Sequence, residues 1–172
     1  GNDVSTGVEI AKEAAQYDMK VLLDFHYSDF WAEPAVQLIP KAWKKDVNNT
    51  EKMCSDVYDF TKESIQKFKD GGANIGMVQV GNEITNGLLG IYSNRDKGES
   101  FNVIWGDKKK STEVNKYLKA GIKAVRECTP QALVALHLET PNVWKYKTIM
   151  NTWKRDNVDY DVLGSSYYPF WS

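Results

Sequence analysis

Ile75-Gly76-Met77-Val78-Gln79-Val80-Gly81-Asn82-Glu83 is an apolar run that ends in two polar residues and leads straight into a long loop. The whole sequence holds four such runs, at residues 20–26, 75–82, 132–138 and 161–167. Three of them are near-continuous in Val, Leu, Ile and Met rather than alternating, as expected of a parallel strand buried on both faces. Helical patterns lie between the runs. Cys54, Val57, Tyr58, Thr61, Ile65 and Phe68 share one stripe, as do Val114, Tyr117, Leu118, Gly121, Ile122 and Val125. Val143, Tyr146, Met150 and Trp153 give a last helix its buried face. Thr6 with Glu9 reads as a capping box opening the first helix, and Thr140-Pro141 as a cap followed by proline at the first helical position. Asn48-Asn49-Thr50 fits a glycosylation pattern and reads more simply as capping residues before a helix.

Helix and strand therefore alternate four times, which predicts right-handed β/α units on a parallel sheet. The connections are unequal. Helix-to-strand turns are short and punctuated by Gly71-Gly72 and Thr129-Pro130, whereas the strand-to-helix loops 27–49 and 84–110 are long. In β/α barrels the loops after the strands build the active site and the opposite face serves stability. Four of the six tryptophans, Trp31, Trp43, Trp105 and Trp171, fall in or just after these strand-end segments. An indole face stacks well on the C–H face of a sugar ring. Tryptophan also covers core edges as an amphipathic side chain, and for any one of the four the two readings are evenly matched.

Composition narrows the partners. The 172 residues carry 42% hydrophobic and 26% charged side chains with a formal net charge of −1, enough for one domain with a core. That balance implies neither nucleic acid nor an anionic membrane surface. Lys108-Lys109-Lys110 reads as a solvated turn in a loop. No apolar stretch is long enough for membrane insertion, and no signal peptide pattern opens the chain. Two cysteines, Cys54 near the start of one helix and Cys128 at the end of the next, lie at opposite ends of parallel neighbours and form neither a disulfide nor a metal site.

Three clusters carry chemistry. In the first, Glu83 ends an apolar strand at a barrel mouth, where a carboxylate costs free energy unless it is paired or functional. Partial burial and a neighbouring carboxylate are the conditions that keep a carboxyl protonated near neutral pH, as a general acid requires. A strand-end glutamate in a structural salt bridge is the bland alternative, and Asn-Glu alone favours function only slightly. In the second, Asp24-Phe25-His26-Tyr27-Ser28-Asp29-Phe30-Trp31, Asp24 and His26 point to one side because side chains alternate along a strand. His137 lies in the equivalent place on the third strand, so both histidines of the chain sit at strand C-terminal ends. Each is either a donor to a sugar hydroxyl or a histidine satisfied in the barrel core. No third ligand stands at metal-binding spacing. The third cluster is Gly164-Ser165-Ser166-Tyr167-Tyr168-Pro169-Phe170-Trp171, where a strand-end phenol either orients a catalytic carboxylate or packs its ring into the core.

Longer motifs join these clusters: Leu23-Asp24-Phe25-His26-Tyr27-Ser28-Asp29-Phe30-Trp31-Ala32-Glu33-Pro34, Pro40-Lys41-Ala42-Trp43, Val80-Gly81-Asn82-Glu83-Ile84-Thr85-Asn86-Gly87-Leu88-Leu89 and Ser166-Tyr167-Tyr168-Pro169. Together, in this order and across nearly the whole chain, they resemble the arabinogalactan endo-β-1,4-galactanases of glycoside hydrolase family 53. The resemblance implies an α/β fold, a (β/α)8 TIM barrel, that hydrolyses β-1,4-galactan, a pectin side chain, with retention. One glutamate protonates the leaving oxygen and a second, roughly 5 Å away, attacks the anomeric carbon. Glu83 matches the acid/base and Asn82 the residue that binds the sugar 2-hydroxyl. His26, Asp29, Trp31, His137 and Trp171 match substrate-binding positions at the barrel mouth. One of Tyr167 and Tyr168 is expected to orient the nucleophile.

The resemblance also implies that residues 1–172 form a partial catalytic barrel domain covering strands three to six. Strands one and two are then expected before Gly1, and the nucleophile on strand seven after Ser172. No Asp or Glu follows Asp161, and Glu139 ends the wrong strand to serve. The chain by itself is expected to be inactive. No cofactor is implied within this chain, structural calcium being a feature of later loops in some relatives. The partner is the polysaccharide, the complete protein is expected to be monomeric, and its place is extracellular or at the cell surface. Two departures stand out: Glu33 where an aspartate is expected before Pro34, and Gly90 where an aromatic residue is common, which would open a substrate subsite. A retaining glycanase of the same clan acting on β-mannan or β-glucan, or a silent carbohydrate-binding relative, is the alternative reading.

Overall fold

Asn or Asp opens every long helix. In the computed structural model, which describes residues 3–170, Asp3, Asn49, Asp107 and Asn142 each accept the backbone N–H three residues on, at 2.8–3.0 Å. These caps begin α1 (Val4–Ala15), α2 (Thr50–Asp70), α4 (Lys108–Cys128) and α5 (Val143–Arg155). An Asn cap such as Asn49 is worth about 1 kcal/mol against alanine. The expectation for Asn48-Asn49-Thr50 thus holds, and three others need correction. The first cap is Asp3, not Thr6, because Thr6 supplies the N–H that Asp3 accepts. The last is Asn142 rather than Thr140, which instead adopts a left-handed backbone with φ 38°. Lys108-Lys109-Lys110 is no loop: it forms the first turn of α4, because the Asp107 carboxylate satisfies its N–H groups.

The strands are β1 (Val21–Phe25), β2 (Ile75–Val80), β5 (Leu133–Glu139) and β6 (Val162–Ser166), with a short hairpin of β3 (Gly87–Leu88) and β4 (Ile91–Tyr92) between them. All four long runs read from the sequence are strands. They pair in parallel in the order β1-β2-β5-β6. Strand order follows chain order with no reversal, so there is no switch point as in a doubly wound sheet. Helices α1, α2, α4 and α5 contact one another in sequence, which makes one layer of helices against one face. That is the wall of a β/α barrel.

Period-two alternation sorts the side chains. Leu23, Phe25, Val78, Val80, Val134, Leu136 and Leu138 are buried toward the helices. On α4 the whole predicted stripe is buried, and on α2 Met53 and Ser64 take the places expected for Cys54 and Tyr58. On α5 the buried residues are Ile149, Thr152 and Trp153, while Val143 in the first turn is exposed. The expectation of two buried strand faces holds for one only. Leu22 and Leu133 stay about half exposed on the other, because no second layer covers it among the described residues. Cys54 and Cys128 are both free and partly buried, and burial raises the Cys54 thiol.

The loops after the strands carry structure of their own. Residues 84–105 fold into a 3-10 turn, the β3–β4 hairpin and α3 (Asn102–Trp105). Trp105 is buried and donates its indole N–H to Thr85 O at 2.6 Å, so this tryptophan braces the loop.

Candidate active site

Strand β2 stops at Val80 because the next residue turns away. Gly81 has φ 85°, and a Cβ there would stand 2.6 Å from Ile84 Cγ2, so only glycine fits. Two residues later Glu83 adopts φ 47° and ψ 49°. For a non-glycine residue this left-handed backbone costs on the order of 1–2 kcal/mol and marks a position fixed by its surroundings. Tyr27 after β1 (φ 51°) and Thr140 after β5 (φ 38°) share it. Three of the four strands thus leave the sheet through a strained residue at the same rim.

Polar side chains link the four strands on the face away from the helices. Ala32 N–H donates to His26 Nδ1 at 3.0 Å, which places the His26 proton on Nε2, where it meets Asp24 Oδ2 at 3.1 Å. Asp24 Oδ1 accepts from Gln79 Nε2 at 2.6 Å, and Gln79 also reaches Asn82 Oδ1 at 3.2 Å. His137 Nδ1 lies 2.8 Å from Asn82 Oδ1, and its Nε2 lies 2.9 Å from Ser166 Oγ. Ser166 Oγ is 2.5 Å from Glu83 Oε1. The result is a belt from His26, just after β1, across β2 and β5, to Ser166 at the end of β6. Burial depresses the His137 imidazolium, opposed by the nearby charges of Glu83 and Asp24, so the ring is neutral near neutral pH.

Side-chain amides fasten the loop after β1 to the turn after β2. Asn82 Nδ2 donates to Ala32 O at 2.8 Å and Asn86 Nδ2 to Pro34 O at 2.9 Å. Gln37, almost fully buried, donates to Glu33 O at 3.0 Å and to Asn82 O at 2.9 Å. The Glu33 substitution leaves this clasp intact, since it works through the Glu33 main chain. Gly90, expected to open a subsite, has φ 81° and faces Ile39, whose Cδ1 would lie 2.7 Å from an added Cβ. Ile39 fills that space.

The residues singled out from the sequence are gathered unevenly. Asn82, Glu83, His26 and His137 lie within the belt. Asp29 instead braces its own loop, Oδ2 accepting Lys41 N–H at 2.7 Å. Trp31 is 72% exposed beside Phe30, and Tyr167 and Tyr168 are also exposed after β6. Trp171 lies outside the described residues. Glu139 is engaged by Lys145 at 2.9 Å. Sequence reasoning missed Gln79, Ser166 and Gln37. Gln79 is a polar residue inside an apolar strand, two before Gly81 and hence on the face of the belt, which is a usable signal. A lone Gln37 in a loop gives none.

The family model for glycosyl hydrolase family 53 matches residues 1–172. Among curated proteins, an endo-beta-1,4-galactanase of Bacillus subtilis (strain 168) is 44% identical over 171 residues, 99% of this chain and 35% of that protein. An arabinogalactan endo-beta-1,4-galactanase of Humicola insolens is 30% identical over 96% of this chain and 47% of its own length. Among solved structures, the Ignisphaera aggregans GH53 catalytic domain superposes with a TM-score of 0.83 at 31% identity, covering 98% of this chain and 43% of that one. A structure described as one of two fungal beta-1,4-galactanases gives 0.77 at 26% identity, covering 98% and 48%. The chain therefore spans between about a third and a half of the length of the relatives it matches.

Proposed function

The chain belongs to glycosyl hydrolase family 53, and from that premise we propose that it carries the acid/base side of a retaining endo-β-1,4-galactanase. The observation that supports this most directly is the setting of Glu83: a carboxyl on a strained backbone at a strand end, bonded through Oε1 to Ser166 on a strand two places away in the sheet.

In the reading offered here, Glu83 gives its proton to the glycosidic oxygen as the bond to the anomeric carbon breaks. A second carboxylate attacks that carbon from the opposite face, about 5 Å from the first. Glu83, now a carboxylate, then takes a proton from the water that releases the sugar. We place the attacking group on a later strand of the barrel, beyond Ser172, with the four strands here as strands three to six of eight. Asn82 keeps one amide hydrogen for the sugar 2-hydroxyl while the other holds Ala32. The exposed indole of Trp31 offers a stacking surface, and the exposed Tyr167 and Tyr168 follow β6. Asp29, His26 and His137 act mainly by shaping that rim, since each already has protein partners. The substrate is galactan, encountered outside the cell.

Two measurements on the complete protein test this. It should release galactobiose from potato galactan, and cleavage of mannan alone would discard the substrate. Glu83→Gln should lose galactan hydrolysis while still binding galacto-oligosaccharides; near-normal turnover would remove Glu83 from the acid/base role.

A further inference from the structure

Helix α4 is charged out of proportion to the chain. Over Lys108–Cys128 it carries seven Lys or Arg and two Glu, a net of +5 in a chain whose formal net charge is −1. Its two halves differ. In the second half the cations have partners. Arg126 joins Asp159 and Asp161 at 3.0 and 2.8 Å, Lys123 lies 3.9 Å from Glu127, and Lys119 donates to Asp156 O at 3.0 Å. In the first half, among the described residues, no ion pair engages Lys108, Lys109, Lys110 or Lys116. Glu113, the one carboxylate on that half, accepts the Thr50 and Tyr117 hydroxyls at 2.8 and 2.9 Å. Asp107, just before the helix, accepts the Lys110 N–H.

Three of these four lysines face a groove of about 510 Å³ between the start of α2 and α4, lined by Thr50, Lys108, Lys109, Thr112, Glu113 and Lys116. Both helices follow strand-end loops, so the groove begins at the end of the sheet where Glu83 lies. α4 has α2 on one side and α5 on the other. Further β/α units would join at the outer strands β1 and β6, so the groove stays open to solvent in a complete barrel.

We propose that this groove binds a carboxylated polysaccharide, the uronate-bearing backbone that carries galactan side chains in pectin, and so holds the enzyme beside its substrate. The proposal deepens the galactanase reading and rests on it for the identity of the polymer. A groove with Lys and no Arg makes point-charge contacts rather than the bidentate grip that suits a phosphate. Lys109 and Lys116 stand about 10 Å apart along the helix axis, a separation that suits a chain of repeated carboxylates better than one small anion. Exposed lysine–carboxylate contacts are weak singly and screened by salt, so the effect is retention at the polymer rather than tight binding.

The test is affinity electrophoresis of the complete protein through gels containing polygalacturonate, with the triple variant Lys108→Gln, Lys109→Gln, Lys116→Gln beside it. The wild type should be retarded at low salt and released at high salt, and the variant should bind about tenfold more weakly. A second variant, Lys12→Gln, Lys67→Gln, Lys147→Gln, changes the net charge equally on other exposed surfaces and should bind as the wild type does. On galactan still joined to its acidic backbone, KM of the groove variant should rise several-fold with kcat unchanged. On neutral galacto-oligosaccharides it should match the wild type. No retardation of the wild type, or equal losses in the two variants, overturns the proposal. So does retardation as strong by duplex DNA or a sulfated glycan, which would mark a general polyanion surface. The gel reads binding and not turnover. A protein that is retarded and leaves galactan uncut defeats the galactanase reading alone, and one that cuts galactan without being retarded defeats this proposal alone.

Discussion

Glu83 sits where it does because its neighbours outweigh its backbone preference. The left-handed turn is held from behind by Gln37, whose amide bonds Asn82 O and Glu33 O from a site 1% exposed. Losing these two part-buried hydrogen bonds costs about 1–3 kcal/mol in all. Gln37→Met keeps the length of the side chain and loses the donor, so it should lower unfolding free energy by that amount in urea titration of the complete protein. It should also slow galactan hydrolysis, as the Glu83 turn loosens. A Gln37→Met protein within 0.5 kcal/mol of wild type would show that the clasp contributes little. Glu83 was legible at this scale as a polar residue ending an apolar strand, but its supports were not. Hydrogen bonds from Gln37 and Ser166 span 45 and 83 residues, and no local pattern encodes a contact that the barrel topology brings together.

Between elements, α4 packs on β2 at Gly121. A Cβ there would lie 2.6 Å from Tyr27 Oη and 2.8 Å from Val80 Cγ1. Tyr27 is fully buried, its phenol raised well above the usual range by desolvation and bonded to Thr61 Oγ1 at 2.8 Å. Gly121→Ala should therefore destabilise by about 1–3 kcal/mol through overpacking. Tyr27→Phe should recover part of that loss in a double-mutant cycle, since it removes the nearer atom; strict additivity would show that the two sites do not touch. The α4–α5 contact is polar instead. Asp156 joins Arg155 with Asn115 and Thr112, and its carboxyl is pulled down to about 2, chiefly by the Arg155 hydrogen bond. A carboxylate depressed below its unfolded value adds stability above pH 4, which is lost as pH falls from 4 toward 2. In Asp156→Asn the drop in unfolding free energy between pH 5 and pH 2, followed by thermal melts, should shrink by roughly 1–2 kcal/mol. The strands and the α4 stripe were legible because runs of Val, Leu and Ile with helical spacing between them leave few other folds. The caps were misread at Thr6 and Thr140 because Asp3 and Asn142 compete within three residues, and spacing alone does not rank them. Lys108-Lys109-Lys110 looked like a loop because three like charges at a helix start oppose its dipole, a cost that the Asp107 cap offsets.

At the scale of the whole molecule, the sheet is closed by helices on one face and open on the other. Leu22 and Leu133, 51% and 46% exposed, line the open face, and β1 and β6 are its outer strands. In a barrel the same side chains would fill the interior and the outer strands would pair with their neighbours. Among the described residues the chain by itself presents both an apolar surface and unpaired strand edges, the two features that drive edge-to-edge association. Charge does little to prevent it, since the net value is only −1. The chain expressed alone should therefore self-associate in sedimentation velocity at micromolar concentration, bind a dye specific for exposed apolar surface, and leave galactan uncut. The complete protein should sediment as a monomer and bind little dye. Substituting Leu22→Lys and Leu133→Lys separates the contributions of surface and edge. If the open face drives association, the doubly charged chain becomes monomeric; if it still associates, the strand edges are responsible. A wild-type chain that is monomeric, dye-negative and active on galactan would contradict the placement of these strands within a larger barrel.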